Sequence, residues 1–345
     1  MRDDVRERKL VRLSVLCLGT AACLAVALAS QAAAQADGEV RAQRLMAVLV
    51  AAYPDFLAGY EGSELVWKDG TRMAFDDGKG TKPFATLLEA RDLEDMFYVG
   101  YPLGRGGLPP AHNNDPGRVR FRPLFDKMYG DCTRGEVERN LAEVIWLPSK
   151  GAQRLKATRV NGVADKLQAA SNELDRLPER FSKYLTPSAG TYHCRPIAGT
   201  KRISAHGSGT AIDLSTSHAD YWFWTKPGSD GRYAYKNRVP WEIVDIFERH
   251  GFIWGGKWHH YDTMHFEYRP EILGARSDLP VEGVAPSKDG TMFQARPSAS
   301  SELGALGAPP PLPAAHSSGR FAGGRAGKLR GRGARAITSR GKPAG

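Results

Sequence analysis

The pattern of hydrophobic and polar positions predicts a mixture of short helices and strands. Apolar residues recur every three or four positions over Val163–Tyr184 and over Pro240–His250, which is typical of amphipathic helices. Further helices are expected over Val40–Ala52 and Thr133–Val144, the second because its first turn is acidic. Gly104–Gly117 is rich in turn-forming residues and is predicted to be a loop.

Strands are predicted where short apolar segments lie between turn residues. Ser63–Phe75 resembles a hairpin around Asp69-Gly70, a dipeptide that suits a tight turn. Other strands are expected at Thr191–Ile197, Lys201–His206, Thr210–Leu214, Phe252–Trp254 and Met264–Tyr268. Because helices and strands follow one another without βαβ regularity, the predicted class is α+β, with a small antiparallel sheet flanked by helices.

The chain is expected to divide into four regions. Residues 1–34 are predicted to be a signal peptide, residues 37–185 an N-terminal mixed region that packs on a core, residues 186–284 that core, and residues 285–345 a disordered tail. The tail is rich in Ala, Gly, Pro and Ser, and eight basic residues follow its last acidic residue, Glu302. Those charges account for most of the net charge of +10, so the folded part is near neutral.

The signal peptide is predicted from a basic start and an apolar stretch. Arg8 and Lys9 precede Leu13–Ala29, which contains no charged residue. Small residues up to Ala34 and Ala36 suit cleavage at either position. The alternative is an uncleaved membrane anchor, because the uncharged stretch approaches the length of a membrane span.

Cleavage would leave two cysteines, Cys132 and Cys194. Exported proteins fold under oxidising conditions, so a disulfide between them is expected, and two free buried thiols are the alternative.

Two short motifs contain residues suited to metal chemistry. Catalytic zinc commonly takes three ligands from His and Asp or Glu. His206 and Asp213 flank two glycines, and His265 lies on a predicted strand near the end of the core. We expect His206 and Asp213 on two antiparallel strands joined by a glycine turn, with His265 on a neighbouring strand. Asp262, three residues before His265, is placed to take a proton from a water at the metal.

The complete pattern resembles a known peptidase family. Ser204-x-His206-x-x-Gly209-x-Ala211-x-Asp213, followed by Asp262-x-x-His265-Phe-Glu267, is similar to the zinc D-alanyl-D-alanine carboxypeptidases and L-alanyl-D-glutamate endopeptidases, which include VanY-type enzymes and phage endolysins. The resemblance covers Tyr192–Pro270. It implies one zinc ion held by His206, Asp213 and His265, with Asp262 as the general base. Many carboxypeptidase members have Glu at the base position, so Asp262 is more similar to the endopeptidase branch, and the scissile bond stays open.

Other site residues are expected around these motifs. An arginine upstream of the first motif commonly helps such enzymes to bind substrate or stabilise the oxyanion, and Arg195 is preferred to Arg202 for this role. Ser204 is expected to orient the chain or to bind substrate. His260 is expected to line the cleft or to support a ligand, and Glu267 is expected to support a histidine ligand.

The resemblance implies an exported or periplasmic metallopeptidase whose substrate is the stem peptide of peptidoglycan. The alternative is a cell-wall-binding module, or a structural zinc module, with the same fold and no catalysis. The basic tail could contact anionic wall polymers or a membrane surface, or have no partner. A nucleic-acid partner is a third hypothesis, which export argues against.

Overall fold

The computed structural model describes residues 2–197, 199–229 and 232–275, with side chains from residue 27 onward. The predicted disordered tail, residues 285–345, lies outside the described residues. Seven α-helices are present among the described residues: α1 Arg2–Ala52, α2 Phe84–Glu89, α3 Arg122–Tyr129, α4 Val163–Leu174, α5 Ser182–Leu185, α6 Trp241–Arg249 and α7 Pro270–Gly274. None of the described helices combines the length and the apolar character needed to cross a membrane.

Within the described ranges, eight strands form three small antiparallel sheets. The strands are β1 Leu57–Glu61, β2 Glu64–Trp67, β3 Arg72–Ala74, β4 Leu141–Trp146, β5 Gln153–Thr158, β6 Ala211–Asp213, β7 Phe252–Trp254 and β8 His265–Tyr268. They pair in the orders β1-β2-β3, β4-β5 and β6-β8-β7. The fold class is therefore α+β, as predicted, and the hairpin around Asp69-Gly70 is confirmed as β2 and β3.

The predicted helix over Thr133–Val144 is wrong. Two short 3-10 turns, Cys132–Arg134 and Glu138–Asn140, are followed by strand β4. Gly135 has a φ of 69°, which ends the first turn because a right-handed helix cannot continue through that conformation. The β4 side chains then alternate between buried and less buried positions, as a strand requires.

The helix observed at Val163 is shorter than the one predicted over Val163–Tyr184. Helix α4 ends at Leu174, and Pro178 caps a separate 3-10 turn that leads into α5. Proline has no N–H and its ring clashes with the preceding turn, so the chain breaks there although Phe181 stays buried.

The N-terminal region and the sheet β6-β8-β7 share one hydrophobic core. Trp146 of β4 packs against Phe247 of α6, with ring centroids 6.2 Å apart. The phenol of Tyr53, at the end of α1, donates a 2.6 Å hydrogen bond to Glu271 of α7. These buried contacts hold the strands of the last sheet against the rest of the chain.

Cys132 and Cys194 form a disulfide across 62 residues. It connects the turn before β4 to the segment that leads to His206. The backbone of Gly207 lies so close to it that a Cβ there would be 3.0 Å from the sulfur of Cys132. The disulfide therefore packs directly against the first motif.

Candidate metal centre

Strands β6 and β8 bring two of the three predicted ligands together. Asp213 and His265 are directly opposite each other in the antiparallel pair. The side chains of two residues that face each other in an antiparallel pair point to the same face of the sheet. The Nδ1 atom of His265 is 3.0 Å from Oδ1 of Asp213.

His206 reaches the same place from a 3-10 turn, not from the strand that we predicted. The turn spans Ala205–Ser208, and the expected strand pair is reduced to one bridge between Pro196 and Ile203. Ser204 caps the turn by accepting a hydrogen bond from the N–H of His206. A turn forms here because the capping hydroxyl and Gly209, with a φ of 70°, define its two ends.

The three side chains fit a metal ion. Their donor atoms all lie within 4.8 Å of one another. His206 directs Nδ1 to the carbonyl oxygen of Thr191, 2.5 Å away, which leaves Nε2 for a ligand. That Nε2 atom is 3.2 Å from Oδ1 of Asp213 and, although buried, has no hydrogen-bond partner among the described residues. Two imidazoles and a carboxylate whose donor atoms lie this close together are a suitable donor set for a divalent transition metal.

Asp262 lies beside this group in the turn that leads into β8. Its backbone N–H donates to Gly255, and its carbonyl oxygen accepts from the N–H of His265, so the backbone holds it in place. Its Oδ1 atom is buried without a partner among the described residues. Burial, together with the negative charge of Asp213, raises the pKa of Asp262 to about 6. A carboxylate with that pKa is suited to accept a proton near neutral pH.

Glu267 supports His265 from the side opposite Asp213. Its Oε2 atom is 3.5 Å from Nε2 of His265, and Arg120 forms a bidentate ion pair with the same carboxylate. Although burial opposes ionisation, Arg120 holds the pKa of Glu267 well below its usual range. Glu267 is therefore an anion that fixes the orientation of the His265 ring. Nothing in the sequence indicated that Arg120 pairs with Glu267.

The group opens into a cavity of about 260 Å³. Arg195, Asp262 and His260 line it together with the three candidate ligands. Arg195 is exposed, and its guanidinium group donates a long hydrogen bond of 3.5 Å to the carbonyl oxygen of its neighbour Pro196. Arg202 lies outside this cavity and pairs with Glu89 at 3.2 Å.

His260 is fixed at the cavity wall by Asp115, a residue that we did not predict. Asp115 is fully buried and accepts from both the backbone N–H and Nδ1 of His260, at 3.0 and 2.7 Å. Asp115, His259 and His260 could also form a second metal-binding group. However, Arg118 lies 3.3 Å from the same carboxylate, and this positive charge disfavours a dication there.

The comparison with known families agrees with the motifs. Residues 198–268 match the model of a peptidase family described as D-alanyl-D-alanine carboxypeptidase. The resemblance to this family is confirmed. The matched segment contains the three candidate ligands and Asp262, and it covers only this part of the chain. Among curated proteins, none matches the chain.

Proposed function

We propose that the protein is an exported zinc peptidase that hydrolyses peptide bonds in the stem peptides of peptidoglycan. The observation that carries the proposal is the convergence of His206, Asp213 and His265 beside Asp262, at a cavity within the segment that matches the peptidase family. The Cys132–Cys194 disulfide and the predicted signal peptide support export.

His206, Asp213 and His265 would hold the zinc ion. Zinc in such a site supplies Lewis acidity, which lowers the pKa of water and polarises a carbonyl group. Asp213 suits a cation because it stays ionised: despite its burial, His206 and His265 hold the pKa of Asp213 well below its usual range. Glu267 and Thr191 fix the two imidazole rings so that one nitrogen of each faces the cation.

Asp262 would be the general base. Its carboxylate takes a proton from the attacking water and returns it to the leaving amine, which completes hydrolysis. The unpartnered Oδ1 atom can accept that proton without first breaking a bond to another described residue. Arg195, an exposed residue that lines the cavity, would stabilise the oxyanion or bind the substrate.

Digestion of purified muropeptides tests this proposal. Wild-type protein is expected to release a peptide or amino acid that mass spectrometry identifies, which also determines the bond that is cut. Chelator should stop the reaction and zinc should restore it. His206→Ala and Asp262→Ala should abolish hydrolysis. Retained turnover in either variant contradicts the mechanism, and zinc binding without hydrolysis by the wild type favours a non-catalytic wall-binding module.

A further inference from the structure

The turn that carries His206 is held by the segment that precedes it. Nδ1 of His206 donates to the carbonyl oxygen of Thr191, 2.5 Å away, and the N–H of His193 donates a 3.1 Å bond to the carbonyl oxygen of His206. The hydroxyl of Thr191 in turn bonds both the N–H and the carbonyl oxygen of Lys156 in β5, at 3.2 and 2.6 Å. The position of residues 191–193 therefore decides where Nε2 of His206 points.

The Cys132–Cys194 disulfide attaches the other end of this segment to the fold. Cys194 directly follows His193, and the buried Cys132 begins the 3-10 turn Cys132–Arg134. Asp131 caps that turn and pairs with Arg122 of α3 at 2.8 Å, so the position of Cys132 is fixed. The segment before His206 is thus held by β5 at one end and by the disulfide at the other.

The turn of His206 also packs on the disulfide itself. Gly207 does not have a positive φ, so its backbone conformation does not require glycine. The space does require it: a Cβ would lie 3.0 Å from Sγ of Cys132 and 2.7 Å from the side chain of Ile203. Two thiols cannot stay as close together as two bonded sulfur atoms, so breaking the disulfide changes this packing directly beside a candidate ligand.

The backbone bonds beyond Cys194 do not replace the disulfide. The N–H of Ser204 donates to the carbonyl oxygen of Arg195, and Pro196 forms a bridge with Ile203. These bonds connect the two arms of one hairpin. They keep the shape of the hairpin but do not fix its distance from Asp213 and His265.

We propose that this disulfide is a redox switch for metal binding: the oxidised protein binds zinc at His206, Asp213 and His265, and the reduced protein binds it much more weakly. The proposal rests on the proposed function. Reduction adds two electrons and two protons to the disulfide and leaves two thiols. A dithiol supplies them and becomes a disulfide itself.

The surroundings of the disulfide suit such a switch. Cys194 is partly exposed, so a reductant can reach the bond. Thiols stay reduced in the cytoplasm and are oxidised in the compartments to which proteins are exported. A chain that has not been exported would therefore hold zinc weakly, and formation of the disulfide would complete the metal centre outside the cytoplasm.

The test measures the zinc affinity of a variant without the disulfide, Cys132→Ala with Cys194→Ala, by competition with a chromophoric chelator. Its Kd should be about tenfold to a hundredfold higher than that of the wild type, the range for loss of a group that orients a metal ligand. Alanine is used because free thiols bind zinc themselves and would mask the loss. Lys82→Met is the matched control. It destabilises the fold by removing a buried cation, keeps the disulfide, and should keep the wild-type Kd.

Weaker zinc binding by the double variant supports the switch even if no peptide is hydrolysed. Equal Kd values in the wild type and the double variant overturn the inference and leave the peptidase intact. An equal rise in Kd in Lys82→Met also overturns it, because general destabilisation would then explain the loss. Absence of zinc binding by the wild type overturns both this inference and the proposed function.

Reduction of the wild-type protein with a phosphine provides a second measurement if thermal melting shows that the double variant does not fold. At limiting zinc, hydrolysis of muropeptides should fall about tenfold on reduction and return on reoxidation. Excess zinc should restore hydrolysis by the reduced protein, which a loss of affinity predicts and unfolding does not. Activity that reduction leaves unchanged, or that excess zinc fails to restore, contradicts the switch.

Discussion

Two groups of crowded carboxylates in the described part of the chain are balanced in different ways. Asp92 and Asp95 are buried around Lys82, whose Nζ atom is 2.7 and 2.6 Å from them and 3.1 Å from Asp77. Asp213 and Asp262 lie close together at the cavity, with two histidines in place of a lysine. The first group contains its own cation, whereas the second has room for one from solution.

The pKa values follow this difference. Although burial opposes it, Asp92, Asp95 and Asp77 raise the pKa of Lys82, so the ammonium stays charged among them. In the second group the pKa of Asp262 rises to about 6, because of burial and the charge of Asp213. Proximity of acidic residues is therefore not sufficient evidence for a metal site. The better evidence is a buried acceptor that faces a cavity and has no partner, as at Asp262 and His206.

Removing the internal cation of the first group should have the largest effect on stability. Lys82→Met leaves buried carboxylates without their partner, and loss of one member of a buried ion pair costs about 3–5 kcal/mol. Chemical denaturation measures the change. Lys79→Met is the control, since Lys79 is 72% exposed and solvent screens its ion pair with Asp77. Equal losses in the two variants would contradict the distinction between the groups.

Zinc should stabilise the protein through the second group alone. An ion that binds only the folded state adds about 2.7 kcal/mol when its free concentration is 100 times Kd. The melting temperature of chelator-treated protein should therefore rise when zinc is added. Asp213→Ala should remove the increase, and Asp77→Ala should leave it unchanged because Lys82 already neutralises that group. An equal increase in Asp213→Ala would locate the zinc elsewhere.

The sequence predicted which side chains come together better than it predicted the elements that carry them. His206, Asp213, His265 and Asp262 form a spaced motif of residue types with few other uses in that combination, and the structure brings all four together. The local pattern was less informative, because glycines and a capping serine are compatible with both a strand turn and a 3-10 turn. The strand predicted before His206 is such an error.

The supporting residues could not be predicted because they are distant in sequence. Arg120 meets Glu267 across 147 residues, and Asp115 meets His260 across 145. Both come from a segment that appears only as a glycine-rich loop and the chain that follows it. Helix α3, which starts at Arg122, was also missed, because it is only two turns long.

The ionisation of Asp262, in the second group, should determine how activity depends on acidic pH. Asp262 must be ionised to accept a proton, so kcat/KM should fall about tenfold per pH unit below its pKa. That pKa is about 6 without a cation, and a bound cation favours the ionised form and lowers it. The acidic limb should therefore lie at or below pH 6 in a profile measured from pH 4 to 8. Activity that increases as pH falls across this range would contradict Asp262 as the base.

Asp262→Asn should have the smallest effect of these variants, and it tests most directly whether the two groups of carboxylates are balanced differently. A carboxyl group whose pKa is raised by folding destabilises the native state above that pKa, because the ionised form is disfavoured there. The neutral amide removes the repulsion from Asp213 but must satisfy its own buried polar atoms, so the chelator-treated variant should gain about 1 kcal/mol at pH 8. The gain should shrink at pH 5, where Asp262 is mostly protonated in the metal-free native protein. The matched change in the first group, Asp92→Asn, should destabilise the protein, because it removes a partner of Lys82. A loss of stability in both variants at pH 8 would show that Asp262 already has a partner in the folded protein, and that the two groups are balanced alike.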